Sequence, residues 1–313
     1  MAHSLFQMFV FPGFLFLCFF GMVVEYVDRK LYARMQNRMG PPWFQPFADF
    51  IKLSAKNDII PEEASARIFK LMPPLALTAA VVAFFYIPVW GERALFSFSG
   101  DAVVVVYLLT IPTLTFFLGG WYSTSLYAGI GAVRALTQLF AYEVPLFMAI
   151  LAPAIVAHTW SLSEMAAFFG AHPWLVLFHL PGFAVAVVAL QGKLERVPFD
   201  IPEAETEIVG GAFTEYTGRL LAFFRLAIDI EMIVGASLLA AVFLPFGLNF
   251  GPFVGFALYV VKVLFIVAIL ALMRTVMARL RIEQMVDFCW RYVAPVALLQ
   301  LFVSLIVSGV IGR

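Results

Sequence analysis

The sequence predicts an all-α fold, a polytopic membrane bundle of about eight transmembrane helices with one amphipathic helix at the interface. Three observations carry that expectation. The 313-residue chain is 63% hydrophobic, with 35 Phe and a mean hydropathy of +0.96. Its apolar runs reach about 20 residues, enough for a helix to cross a hydrocarbon core of about 30 Å. Its basic residues fall on alternate loops, seventeen on one side and two (Arg93 and Arg313) on the other, with Lys262 left inside a span. That asymmetry places the basic loops in the cytoplasm and both termini outside. The whole of 1–313 reads as a single integral membrane domain.

Spans are expected at about 5–27, 71–90, 103–127, 142–160, 174–190, 224–246, 252–273 and 291–311. The first begins without preceding Lys or Arg and is too long for a cleaved signal segment. As it leaves the membrane, Glu25 and Arg29 stand at i,i+4 spacing and form a natural ion pair. The run from Gln36 to Pro42 is a helix stop. Beyond it, 43–53 puts Phe47, Phe50, Ile51 and Ser54 on one side and Asp49 and Lys52 on another. That is the pattern of a helix lying in the interface or against another subunit.

Span four opens with Arg134, and within it Glu143 sits next to Pro145, whose missing N–H leaves a polar gap in the helix. Either a buried role for Glu143 or a surface pair with Arg134 fits that pattern. The stretch 195–219 then concentrates six acids, Glu195, Asp200, Glu203, Glu205, Glu207 and Glu215, in a chain with 20 acids in all. Pro202 suits the first position of a helix, with Asp200 or Ile201 near the cap. That helix would carry Glu203 and Glu207 on one face, with Glu215 two turns further on. The small apolar run 208–212 argues for a membrane boundary or a lined cavity, where ionisable groups mark ion or substrate routes.

Span six enters the membrane with Arg225, Asp229 and Glu231 attached. Lys262, about eleven residues into span seven, is too deep for easy snorkelling. A central Lys costs about 2.5–3.5 kcal/mol on insertion scales, so it is expected to face the interior and a carboxylate or water. Cys18 and Cys289 have no Cys-x-x-Cys spacing, and the four histidines show no ligand pattern. Gly129, Gly131 and Arg134 resemble the start of a dinucleotide fingerprint, but no strand precedes them and no third Gly follows. No internal repeat is present, which counts against a stand-alone secondary cation transporter built from two related halves.

Three separated motifs are more specific. The run PFDIPEAETE from Pro198 to Glu207, followed by Glu215 to Gly218, resembles the signature of the membrane subunit of respiratory complex I that adjoins the quinone site. It equally resembles the counterpart subunit of membrane-bound nickel-iron hydrogenases. Arg134 to Gln138 with Tyr142 to Val144, and Gln36 to Pro41 with Ala48 to Leu53, are similar to the same family. The resemblance implies a subunit that binds no cofactor of its own, clamped beneath a peripheral arm whose partner subunits carry iron-sulfur clusters and a nickel-iron centre. It also implies a prokaryotic cell membrane as the location, antiporter-like membrane subunits alongside, and no nucleic-acid partner.

By the same resemblance, Glu143, Asp200, Glu203, Glu205, Glu207 and Glu215 line a hydrated ion path that Asp229, Glu231 and Lys262 could continue. Arg34, Arg38, Asp49, Lys52 and Arg196 would face the peripheral arm. Two departures from the quinone-reducing pattern, at Pro42-Trp43 and at Phe224-Arg225 to Glu231, place the chain nearer the ferredoxin-linked, hydrogenase-like branch with its sulfur-reducing relatives. The alternatives are a true quinone-site subunit, the secondary transporter and a passive scaffold. Clustered carboxylates in one cavity cannot all ionise freely, so such a set would respond to charge changes at a neighbouring redox site.

Overall fold

A computed structural model describes residues 2–89, 93–247 and 251–311; the Glu205 side chain and Arg313 lie outside the described residues. Eight helices are long and apolar enough to cross a membrane, and no strand occurs among the described residues. The short α1 (Ala2–Phe9) packs on α2 (Phe14–Met35), and α3 (Gln45–Ser54) is the amphipathic segment. Next come α4 (Ala66–Phe84), α5 (Asp101–Trp121), α6 (Leu126–Ala157) and the short α7 (Leu162–Ala171). A 3-10 turn, Pro173–His179, leads into α8 (Leu180–Lys193), and the four-residue α9 spans Glu205–Ile208. The last elements are α10 (Gly218–Phe243), α11 (Pro252–Val276), α12 (Ile282–Phe288) and α13 (Ala294–Ile311), with a π turn at Cys289–Val293 between the final two.

The hub is α10, which packs on α2, α3, α4, α7, α8 and α11. Its sequence permits this because small residues let helix backbones approach closely. A Cβ at Gly235 would stand 2.3 Å from a Leu190 methyl, so α8 seats directly on that glycine. Around it α4, α5 and α6 pack in succession, and α8 and α13 both pack on α6.

The boundaries of span four differ most from expectation. The helix starts at Leu126 rather than near 142 and runs 32 residues through Pro145 and Pro153. Glu143 is therefore about 26 Å along it, half-buried near the middle of the helix instead of at its entrance. The extension is stable because its polar side chains meet protein; Gln138, fully buried, donates to the Gly192 carbonyl at 2.7 Å. Span two runs Ala66–Phe84 and span three ends at Trp121, both a few residues earlier than expected. On α3, Ile51 is 67% exposed and does not join Phe47 and Phe50 against the bundle.

The expected helix from Pro202 through Glu215 is not continuous. It stops after Ile208 because Val209 (φ 62°) and Gly211 (φ 54°) take left-handed backbone, which reverses the chain. The reversed segment presses into a floor of glycines. A Cβ on Gly131 would lie 2.6 Å from the Ala212 amide nitrogen, and one on Gly120 3.0 Å from the Ala212 Cα. The discarded fingerprint glycine Gly131 thus has a packing purpose.

Gly131→Ala is expected to destabilise by about 1–3 kcal/mol, against the gain of up to about 1 kcal/mol that Ala brings to a free helix position. Thermal unfolding in detergent reads the sign, and a neutral or stabilising result would mean the segment does not dock there.

Candidate functional site

The carboxyl end of α2, the segment around α3, the 193–206 loop, the first half of α10 and the far end of α11 enclose one cavity of about 910 Å³. More than half of its lining side chains are ionisable, seven acids and eight bases. Charges at this density in a partly enclosed space need partners, and the geometry supplies them in tiers.

At the mouth, Arg29 bridges Glu25 (2.5 Å) and Asp49 (3.2 Å), and Gln45 donates to Asp49 at 2.8 Å. Behind it, Arg196 forks between Glu25 (3.0 Å) and Asp28 (2.8 Å), and Arg274 reaches Asp28 at 3.4 Å. Burial opposes the charge on Arg196, but Asp28, Glu25 and Asp229 outweigh it and hold the guanidinium more firmly protonated than usual. Along one wall Arg225 meets Glu203 at 3.2 Å and Arg279 meets Asp200 at 3.5 Å. Arg225 thus takes Glu203 rather than Asp229, its i+4 neighbour, as its partner. Asp229 is half-buried on the α10 side of the same cavity.

At the deepest point, Lys193 and Glu231 pair at 3.0 Å, with side chains 3% and 1% exposed. The Lys193 ammonium also donates to the Leu109 carbonyl, within one turn of Pro112 on α5, and stands 5.7 Å from the Tyr142 ring. The Tyr142 hydroxyl is 3.1 Å from that of Thr113. Thr110 donates to Glu143 at 2.5 Å. Beyond the cavity floor, α5 and α6 thus carry two separate polar pairs, Thr113 with Tyr142 and Thr110 with Glu143, with no hydrogen bond between the pairs among the described residues; they form an interrupted polar seam.

Glu195 sits where α8 ends. The Arg196 amide bonds to Gln191 and the Glu195 amide to Gly192, a Schellman ending in which Glu195 (φ 50°) takes the position glycine prefers. A left-handed glutamate costs about 1–2 kcal/mol, and such strain concentrates at functional positions. Its Oε1 is buried without a hydrogen bond among the described residues. Burial first, then the nearby Glu203 and Glu231 charges, push its proton affinity well above the ordinary carboxylate value; Lys193 and Arg225 oppose them.

A carboxyl whose folded pKa is raised contributes stability that is full below the unfolded value of 4.5 and lost as pH rises through the folded one. Glu195→Gln, neutral at every pH, should flatten that decline in thermal-unfolding profiles and remove a protonated-carboxyl band from the infrared spectrum. Parallel profiles for the two proteins would mean Glu195 is ionised in the fold.

The remaining residues expected to act here are spread more widely. Asp49, Lys52, Arg196, Asp200, Glu203, Asp229 and Glu231 line the cavity, and Glu143 lies at the inner end of the seam. Glu207 is an exposed partner of Arg134 (2.7 Å), whose hydrogen bond holds its pKa below the usual range. Glu215 is half-buried away from the cavity lining, and Arg34 and Arg38 lie beyond its mouth. Lys262 departs from expectation. It neither faces the interior acids nor has a carboxylate partner among the described residues, and donates to the Phe246 carbonyl at a half-exposed position. The site residues not singled out as such from sequence include Lys193, Glu195, Glu25, Asp28, Arg29, Arg225, Arg274 and Arg279. Among the described residues no three His, Cys, Asp or Glu side chains converge as a metal site requires.

Known proteins resemble this chain along nearly its whole length. The family model described as NADH dehydrogenase matches residues 8–305. An NADH-quinone oxidoreductase subunit of Carboxydothermus hydrogenoformans is 31% identical over 93% of this chain and 85% of its own length. The counterpart from Thermus thermophilus is 33% identical over 90% of this chain and 80% of its own. Among solved structures, a chain of the membrane-bound sulfane sulfur reductase, an archaeal respiratory membrane complex, superposes with a TM-score of 0.84. It shares 26% identity over 97% of this chain and 98% of that one.

Proposed function

Because the chain belongs to the NADH dehydrogenase family, we propose that it is the membrane anchor and coupling subunit of a complex I-related, ion-translocating redox complex of the membrane-bound hydrogenase-like, ferredoxin-linked branch. In this reading the cavity mouth faces the cytosol beneath a peripheral arm of catalytic and iron-sulfur subunits, which hold every redox centre. Both termini lie outside, and antiporter-like subunits adjoin in the membrane. The observation that supports it most is the buried Lys193–Glu231 pair on the floor of a charged cavity, next to α5 and α6, which carry the Thr113–Tyr142 and Thr110–Glu143 pairs.

The physical link is electrostatic. A unit charge arriving about 10 Å from a cavity carboxylate shifts its energy by about 1.7 kcal/mol at an effective dielectric of about 20. That is roughly one pKa unit. A reduction event at the mouth can therefore draw a proton onto the cluster, and reoxidation can release it along the seam. Oriented pairs are suited to this because each already holds a carboxylate beside a cation, so one added charge shifts which group carries the proton.

The branch is supported by the departures at Pro42-Trp43 and Arg225 to Glu231, and by the similarity to the sulfane sulfur reductase chain. A cavity walled mainly by charge also suits ions better than an apolar quinone tail, whose sites are predominantly apolar. The quinone-site reading keeps one observation in its favour, the NADH-quinone oxidoreductase subunits at 31% and 33% identity. Whether the partner catalytic subunit keeps four metal-binding cysteines separates the two.

The test is the intact complex in sealed vesicles carrying a pH-sensitive dye. Glu143→Gln should lower translocation per electron about tenfold, the effect of losing a proton-transfer group worth about 10²–10⁴ in rate being buffered by water, while assembly is unchanged. Undiminished translocation would make the acids dispensable and the chain a passive scaffold.

A further inference from the structure

Away from the charged cavity, the last helix carries a buried polar stripe. Gln300, Ser304 and Ser308 recur every four residues of α13, so they share one face, and they are 1%, 1% and 8% exposed. Leu299, Phe302 and Ile306 on the other side of the helix are exposed, so the stripe turns toward α6 and α8, on which α13 packs. A histidine closes each end. Where α6 stops, the half-buried His158 brings Nε2 to 3.1 Å from the Ser308 hydroxyl. About 12 Å further in along α13, the Gln300 amide nitrogen donates to the Phe178 carbonyl at 2.9 Å and stands 3.1 Å from His179 Nδ1.

That geometry fixes the state of His179. The Gln300 group facing a carbonyl must be the NH₂, so it donates to Nδ1 as well, and Nε2 carries the proton of a neutral imidazole. Nε2 is buried with no hydrogen-bond partner among the described residues, on a ring that is 3% exposed and stands edge-to-face with Phe169. A buried N–H without an acceptor is costly, so this one calls for a ligand that accepts. The stripe also opens between Ser304 and Ser308. Side chains four apart on a helix stand about 5–6 Å from each other, the distance that one bridging water spans. We propose that the crevice between α13, α6 and α8 binds a short column of water that enters beside His158, with one molecule between Ser304 and Ser308 and one on His179 Nε2. Neutral donors and acceptors select water here, because these residues offer a cation no carboxylate. Gln300 ends the column. Its carboxamide does not titrate, so water reaches into the bundle without opening a proton path through it.

The test is a map of the intact complex in lipid nanodiscs, fine enough to show ordered water elsewhere in the bundle. It is expected to place one water within hydrogen-bond distance of His179 Nε2 and one between Ser304 and Ser308. Ser304→Val, which puts methyls where the hydroxyl stood, should lower the occupancy of the Ser304 site about fivefold or more, and Ser304→Thr, which keeps the hydroxyl, should retain it. A map that shows water elsewhere and none here, with the Nε2 proton resting on the Phe169 ring, would overturn the proposal. So would a Ser304 site filled equally in the parent and in Ser304→Val. Should Ser304→Val fail to assemble, the parent map decides by itself.

Discussion

Lys193→Met is expected to destabilise the protein by about 3–5 kcal/mol, the cost of leaving a buried charge without its partner. The pair is nearly solvent-free, and the other Glu231 oxygen is buried with no hydrogen bond among the described residues. Glu231 would thus lose the cation it pairs with, and the Leu109 carbonyl would lose a donor next to the break that Pro112 makes in α5. The double variant Lys193→Met with Glu231→Gln should recover most of the loss, because removing both charges is nearly neutral where removing one is not. Thermal unfolding in detergent reads the stability arm. The coupled-translocation assay reads the other, and there the double variant should stay as defective as the single one. Recovery of both stability and translocation would show that the pair is structural only. A single variant as stable as the parent would show that water already reaches Glu231.

The bundle and most of the acids are legible in the sequence, but the pair at their centre is not, and the reasons are physical. Hydropathy runs report burial of a whole segment, so the eight spans are visible wherever a helix is apolar on all sides. Lys193 reads as a loop cation because it follows the expected end of span five by three residues. Its burial comes from α5, α6 and α10 closing around its head at Leu109, Tyr142 and Glu231, which local pattern does not encode. Glu25 and Asp28 are visible on one helix, but their partner Arg196 is 171 and 168 residues away. The continuous acidic helix fails at Val209 and Gly211, where left-handed backbone answers to glycines on α5 and α6 that only packing reveals. For Lys262 the insertion cost is legible, and so is the need for a partner. Where that partner lies is not, because the Phe246 carbonyl it finds belongs to the loop after α10, which helical periodicity does not describe.

Arg196→Leu is the second large effect, again about 3–5 kcal/mol, and it discriminates between cavity shape and cavity charge. The guanidinium side chain is 12% exposed and forks across two carboxylates on consecutive turns of α2, a match of planar donors that Lys cannot reproduce. Its removal leaves Glu25 with Arg29 and Asp28 with Arg274 alone, the latter at 3.4 Å. It also frees the loop after α8 from α2, so amide exchange in α2 and at the end of α8 should accelerate together. Arg196→Lys should lie between parent and Leu, since one ammonium can hold one carboxylate well but not both. Adding Asp28→Asn to Arg196→Leu removes one stranded charge and should return part of the stability without restoring loop protection, because the fork that ties loop to helix is still missing. If that combination restores both, the network acts only by balancing charge. If Arg196→Leu leaves exchange in α8 unchanged, the loop is held by its own packing and the deep pair is insulated from the mouth, which would count against the proposed electrostatic route to Glu231.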